Sequence, residues 1–157
     1  MSMRLCLILL AACLLVLPGC GGEKRPDGMP ATTPVTITIM QDGAPLEGAL
    51  VGFLSSDTVN SNWSAGGTTD SSGKAKMKTH SLYDGVVPGK YKVTVKKTRA
   101  EPLPDWYGEV SEEKRLAYKP PPPEVFVHTK FGNMNTTPLE VEVGGSPVNE
   151  TFEVEKP

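Results

Sequence analysis

Cysteine is nearly missing from this chain, and so are most of the residue patterns that chemistry needs. Three cysteines occur in 157 residues, at positions 6, 13 and 20. Cys6 and Cys13 lie within the leading apolar segment, so Cys20 alone remains beyond it and no disulfide can close within the rest of the chain. Histidine is as scarce: His80 and His128 stand far apart, with no metal-ligand spacing around either. No apolar run reaches the roughly 20 residues of a membrane-spanning helix, the longest being the thirteen at 5–17. The sequence also has no Gly-x-Ser-x-Gly elbow, no phosphate-binding glycine loop and no paired cysteines, and so implies no cofactor. Excess positive charge is absent too. Setting aside 1–19, which contain only Arg4, leaves 15 basic residues against 18 acidic, a balance that argues against nucleic acid as a partner.

What is present begins with an export signal over 1–19: Arg4 as the positive start, the apolar run, then Leu17-Pro18-Gly19-Cys20. That tetrapeptide resembles a bacterial lipobox. The resemblance implies cleavage before Cys20 and up to three acyl chains on it, an anchor held permanently in a membrane; the plain alternative is a secretory signal in which Cys20 is incidental. Gly21 stands where many two-membraned bacteria place an inner-membrane retention Asp, so the analogy favours the outer membrane in such a cell. Residues 20–34 read as the lipidated cysteine and a flexible Gly/Pro-rich tether, long enough to hold a domain about 20 Å from the lipid. Export normally favours disulfides. Without one, the domain over 35–157 depends on its core.

Alternation of apolar and polar residues predicts strands at Val35-Ile37-Ile39, Ala49-Val51-Phe53, Ala75-Met77, Tyr91-Val93-Val95, Val125-Val127, Leu139-Val141-Val143 and Phe152-Val154. Leu50 and Leu54 suggest that the second strand is covered on both faces. Asp42-Gly43 reads as a tight turn, Asp70-Ser71-Ser72-Gly73 as a type I turn, and Pro88-Gly89 as a type II turn with glycine taking the positive φ. Residues 60–67 read as loop and 68–70 as a short strand. The strand after Pro88-Gly89 has the cleanest alternation and is expected at the centre of its sheet. The implied fold class is all-β, an antiparallel Greek-key β-sandwich of about seven strands.

Four motifs in order sharpen this: Asp42-Gly43-x-Pro45-Leu46-x-Gly48-Ala49-x-Val51-x-Phe53, Thr69-Asp70-x-x-Gly73, Pro88-Gly89-x-Tyr91-x-Val93-x-Val95, and Thr137-Pro138-Leu139-x-Val141-x-Val143. Together they resemble the carboxypeptidase regulatory-like domain, a transthyretin-like (prealbumin-like) sandwich related in shape to Ig domains and common in small bacterial lipoproteins. The resemblance implies an interaction or structural module with no catalytic residues. Transthyretin-like hydrolases end in Tyr-Arg-Gly-Ser, which this chain lacks. Ring-cleaving dioxygenases of related fold bind iron through two tyrosines and two histidines, a set this composition permits but no spacing supports. The scattered methionines Met29, Met40, Met77 and Met134 fit core filling better than a copper site.

One stretch breaks the pattern, a proline-rich insertion at 98–124 with Pro102, Pro104 and the run 120–123. Unpatterned loops of that length are usually functional or mobile. Within it, 111–118 can form two helical turns, and the proline run serves either as a stiff spacer or as a recognition ligand. Trp63, Trp106 and Tyr107 are the candidate binding residues: they either stack on a glycan or partner protein, or fold back onto the sandwich. The expected function is a membrane-anchored envelope lipoprotein with a non-catalytic module. The alternatives are a carbohydrate-binding accessory protein and, behind it, an enzyme of unrecognised type.

Overall fold

The structure, a computed structural model, describes residues 25–55, 57 and 61–157. The leader 1–19 and Cys20 lie outside the described residues.

Strand β1, Val35–Gln41, follows from its alternation: Val35, Ile37 and Ile39 are buried and the threonines between them half-exposed. It ends where Asp42 and Gly43 take φ of 54° and 74°. Two consecutive left-handed residues make the primed turn that suits a hairpin, and β2, Ala44–Pro45, folds back on β1. After it come β3 (Leu50–Leu54), β4 (Ala65–Thr68), β5 (Lys74–Lys76), β6 (Lys78–Thr79), β7 (Tyr83–Asp84), β8 (Gly89–Lys96) and β9 (Thr98–Arg99). The later elements are the helix α1 (Glu112–Ala117), then β10 (Glu124–Val125), β11 (Glu140–Val143) and β12 (Val148–Val154).

Two sheets pack as a sandwich. The smaller has β1 at its centre, with β12 along one side and β2 and β5 along the other. The larger runs β11-β8-β3-β4-β6-β7. β9 and β10 form a separate two-residue ribbon. Seven of the described strands have three residues or more, in keeping with the sequence, and β8 is an interior strand between β11 and β3, one place in from the sheet edge rather than at its centre. The pairings are antiparallel except β1 with β12, which run parallel over seven residues. The cause is the short turn at 144–147: β11 ends beside the start of β1, where the Thr33 hydroxyl donates to the Gly144 carbonyl at 2.6 Å, so β12 starts there too.

The core lies between the sheets. Ile37, Ile39, Ala49, Val51, Phe53, Ala75 and Val93 are fully buried, and Phe53 packs on Tyr91 with ring centroids 5.6 Å apart. Buried threonines hold the connections: the Thr69 hydroxyl donates to the Leu46 carbonyl at 2.6 Å and accepts from the Ala49 amide at 2.8 Å. Thr137 donates to the Val93 carbonyl in the same way. Among the described residues no buried side-chain polar atom lacks a partner, as a core without disulfides requires.

Three local expectations need correction. The positive φ lies at Gly85 (87°) and not at Gly89, which is the first residue of β8 and pairs with Val143. Gly85 is obliged to be glycine because a Cβ there would come 2.6 Å from the Thr33 carbonyl oxygen. Second, Gly66-Gly67 is strand and not loop: it lies in β4 opposite Gly52 and Val51, and a Cβ on Gly67 would meet the Lys76 carbonyl at 2.8 Å. The glycines there mark close backbone approach. Third, Leu50 is 57% exposed, so the outer face of β3 is not fully covered.

Candidate functional site

The register of the strands gives the sandwich two poles. At one, the chain leading into β1, the end of the expected tether, is fixed: the Thr33 amide donates to the Val86 carbonyl at 2.8 Å, the Thr32 hydroxyl to Asp84 at 2.7 Å, and the Val148 amide to Pro34 at 3.0 Å. β8 starts at this pole. Its far end passes straight into β9, so the insertion leaves from the other pole. The Gln41 amide, at the end of β1, donates to the Phe126 carbonyl there at 2.8 Å. Seven residues of β1 separate the poles by about 20 Å.

The insertion is an arm with a closed base. Thr98 pairs with Val125 and Arg99 with Glu124 in the β9–β10 ribbon, and the Arg99 guanidinium binds the Glu124 carboxylate. Phe126, next along the chain, has Lys97 and Arg99 over its ring at 5.4 and 5.1 Å. Beyond the ribbon come a 3-10 turn, Asp105–Gly108, and α1, which realises the two helical turns expected at 111–118. Neither contains a buried residue.

Trp106, Tyr107 and Tyr118 hold the arm together. Trp106 meets Tyr118 edge-on at 5.4 Å, Tyr107 meets it at 5.5 Å, and Trp106 and Tyr107 are 6.2 Å apart. Such pairs stabilise by about 0.5–1.5 kcal/mol each beyond area burial. Sequence reasoning named Trp106 and Tyr107 but missed Tyr118. The signal was available, since placing 111–118 in a helix brings Tyr118 to its end. Much of the arm's apolar surface stays in water: Leu103, Trp106, Leu116 and Val125 are 57, 44, 80 and 39% exposed, four of the six exposed large hydrophobics among the described residues.

Trp63 belongs elsewhere. Leu54, at the end of β3, pairs with Lys92 near the start of β8, so the loop carrying Trp63 lies at the tether pole. Trp63 is half-buried and stacks on His80 at 5.5 Å, and the His80 Nε2 lies 2.7 Å from the Asn62 carbonyl. His80 and Ser81 adopt φ of 52° and 61° to make the turn that places the ring. The three aromatic candidates therefore form no single surface. Trp106 and Tyr107 project together at one end, and Trp63 folds back at the other.

The ionisable groups that depart from their ordinary values have structural partners. Asp70 is held low by the Ser72 hydroxyl and the Lys74 amide in its turn, Glu140 by Lys92 and Glu155 by Lys130. Burial, then the charge of Asp57, pushes Tyr91 up. None of these groups belongs to the arm. Among the described residues no three His, Cys, Asp or Glu side chains gather as a metal would need, and no described helix is long and apolar enough to cross a membrane.

No protein-family model matches the chain, and no curated protein matches it. Among solved structures it is similar to the crystal structure of BcpA*(D312A), the major pilin subunit of Bacillus cereus, at 15% identity and a TM-score of 0.44. The match covers 82% of this chain and 31% of the pilin, so this chain spans about a third of that protein's length.

Proposed function

We propose that this chain is a lipid-anchored protein of the cell envelope whose β-sandwich is a non-catalytic platform, carrying the arm at 98–124 to a partner away from its own membrane. The fold is of the carboxypeptidase regulatory-like, transthyretin-like kind, and the anchor is acylated Cys20, in the outer membrane where the cell has two. The observation that carries this reading is the placement of the arm: it leaves from the pole opposite the tether with its leucines, Trp106 and Val125 exposed. Apolar side chains that gather in water mark interaction surfaces, and four of the six exposed large hydrophobics among the described residues fall on the arm and its ribbon.

A partner protein in the envelope fits the aliphatic part of this surface. A glycan is the second reading, favoured by the exposed face of Trp106 beside Tyr107. The two separate on Leu103→Asp with Leu116→Asp, a change at exposed positions that leaves the aromatic trio in place. Loss of the copurifying partner supports the protein reading. Retained binding, together with a Trp fluorescence response to envelope glycans, supports the other. Copurification unchanged by this change, with no Trp fluorescence response to any envelope glycan, contradicts both.

A further inference from the structure

Along one side of the sandwich run the edge strands of its two sheets, β11 and β12, joined by the turn at 144–147. The hydrophobic side chains that the core covers only in part, Leu139, Val148 and Phe152, all lie on or beside these two strands. β12 is the longer edge and its only strand partner among the described residues is β1, on one side. The Val148 amide donates to the Pro34 carbonyl, and alternation along a parallel ladder then turns the main-chain groups of Glu150, Phe152 and Val154 to β1 as well. Those of Asn149, Thr151 and Glu153 point away from the sheet, where no main-chain partner meets them among the described residues. All three residues are exposed. The ladder stops at the next such group, because the Glu155 carbonyl already accepts from the His128 amide at 2.8 Å. What remains is a short, regular row of free donors and acceptors, the template that an added strand uses.

Glu150 sets the chemistry of that edge. It shares a face with Val148 and Phe152, which pack on the core, and its register partner on β1 is the fully buried Ile37. Yet it is exposed, and no ion pair or side-chain hydrogen bond engages its carboxylate among the described residues. A charge on the core-facing side of an edge strand discourages strands that bring nothing to neutralise it. In antiparallel addition Glu150 falls in a non-hydrogen-bonded pair, where opposed side chains come closest.

We infer that the outer edge of β12 is a docking site for an extended segment of another protein, paired antiparallel, with Lys or Arg opposite Glu150 and apolar residues opposite Val148 and Phe152. A second copy of this chain does not meet that requirement. None of its 16 lysines and arginines has a large apolar residue both two places before and two places after it.

The test titrates the full-length chain with three synthetic peptides to millimolar concentration and follows amide NMR. The first is acetyl-Val-Thr-Val-Thr-Lys-Thr-Val-amide; the others carry Gln or Glu in place of Lys. The expected result is saturable shifts and slowed hydrogen exchange at Asn149, Thr151 and Glu153. The Lys peptide should bind roughly threefold more tightly than the Gln peptide and about tenfold more tightly than the Glu peptide, as one exposed ion pair against one like-charge contact allows. Glu150→Lys should reverse the order of the Lys and Glu peptides. Thr151→Pro removes an amide that β1 does not use, so the thermal transition should persist while binding of all three peptides is lost. Equal affinity for the Lys and Glu peptides in the unmodified chain overturns the inference, as do shifts centred on the arm or no saturable shift at all. Slowed exchange at the same three amides that grows with protein concentration alone also overturns it, by making the occupant a second copy.

Discussion

Tyr91 shows how much rests on single residues in a core without disulfides. Its ring packs on Phe53, and its hydroxyl donates to the Val87 carbonyl at 2.7 Å from a side chain only 3% exposed. Tyr91→Phe should cost about 1 kcal/mol in chemical denaturation by leaving that carbonyl short of a donor. The pH profile depends on the same residue. Burial raises the Tyr91 pKa, so the neutral form is the one the fold favours: its stabilisation is complete below pH 10 and is lost as pH rises through the folded-state value. Tyr91→Phe should therefore flatten the alkaline limb. On the acid side the sign reverses. Asp70, Glu140 and Glu155 are held low by hydrogen bonds, so their contribution is present above their unfolded values and falls away as pH drops below about 4.5. All three are solvated, and the acid limb should be shallow. Inward positions such as Ala75, Met77, Val93 and Tyr91 were legible, because a two-residue period leaves little choice. Which glycine takes the positive φ was not: the sequence points to Pro88-Gly89, whereas the glycine that takes it is Gly85. The approach of Thr33, from far earlier in the chain, decides between them. Gly85→Ala should accordingly cost roughly 2 kcal/mol or more, seen as a drop of several degrees in Tm.

At the scale of elements, the arm is a unit the sandwich does not need. Its 3-10 turn and helix contain no buried residue, and its ends are already joined by the β9–β10 ribbon. Replacing 101–122 by a two-residue turn should leave Tm within a few degrees, since little buried surface is removed; a collapse of the thermal transition would show that the arm is part of the core. The sequence announced this element through a break in alternation and a run of prolines, and it placed the helix nearly to the residue. It did not reveal the aromatic trio, which depends on how the two helical pieces meet. Nor did it separate Trp63 from Trp106, because the pole at which a loop lies is set by strand direction and pairing. The parallel pairing of β12 with β1 was hidden for the same reason: alternation is identical in parallel and antiparallel edges.

For the whole molecule, the proposed function turns on direction. The chain enters β1 at one pole, about 20 Å of sheet intervenes, and the arm leaves from the other. Cys20→Ala should release the protein from the membrane fraction and remove lipid labelling, while a soluble domain with an unchanged thermal transition remains. The orientation itself is tested most directly by placing a photo-crosslinking residue at one pole or the other in living cells, at Ser146 near the tether or at Leu103 in the arm. The proposed orientation predicts that the probe at Ser146 captures phospholipid and the probe at Leu103 captures a discrete protein species. Phospholipid captured at Leu103, with none at Ser146, would contradict it.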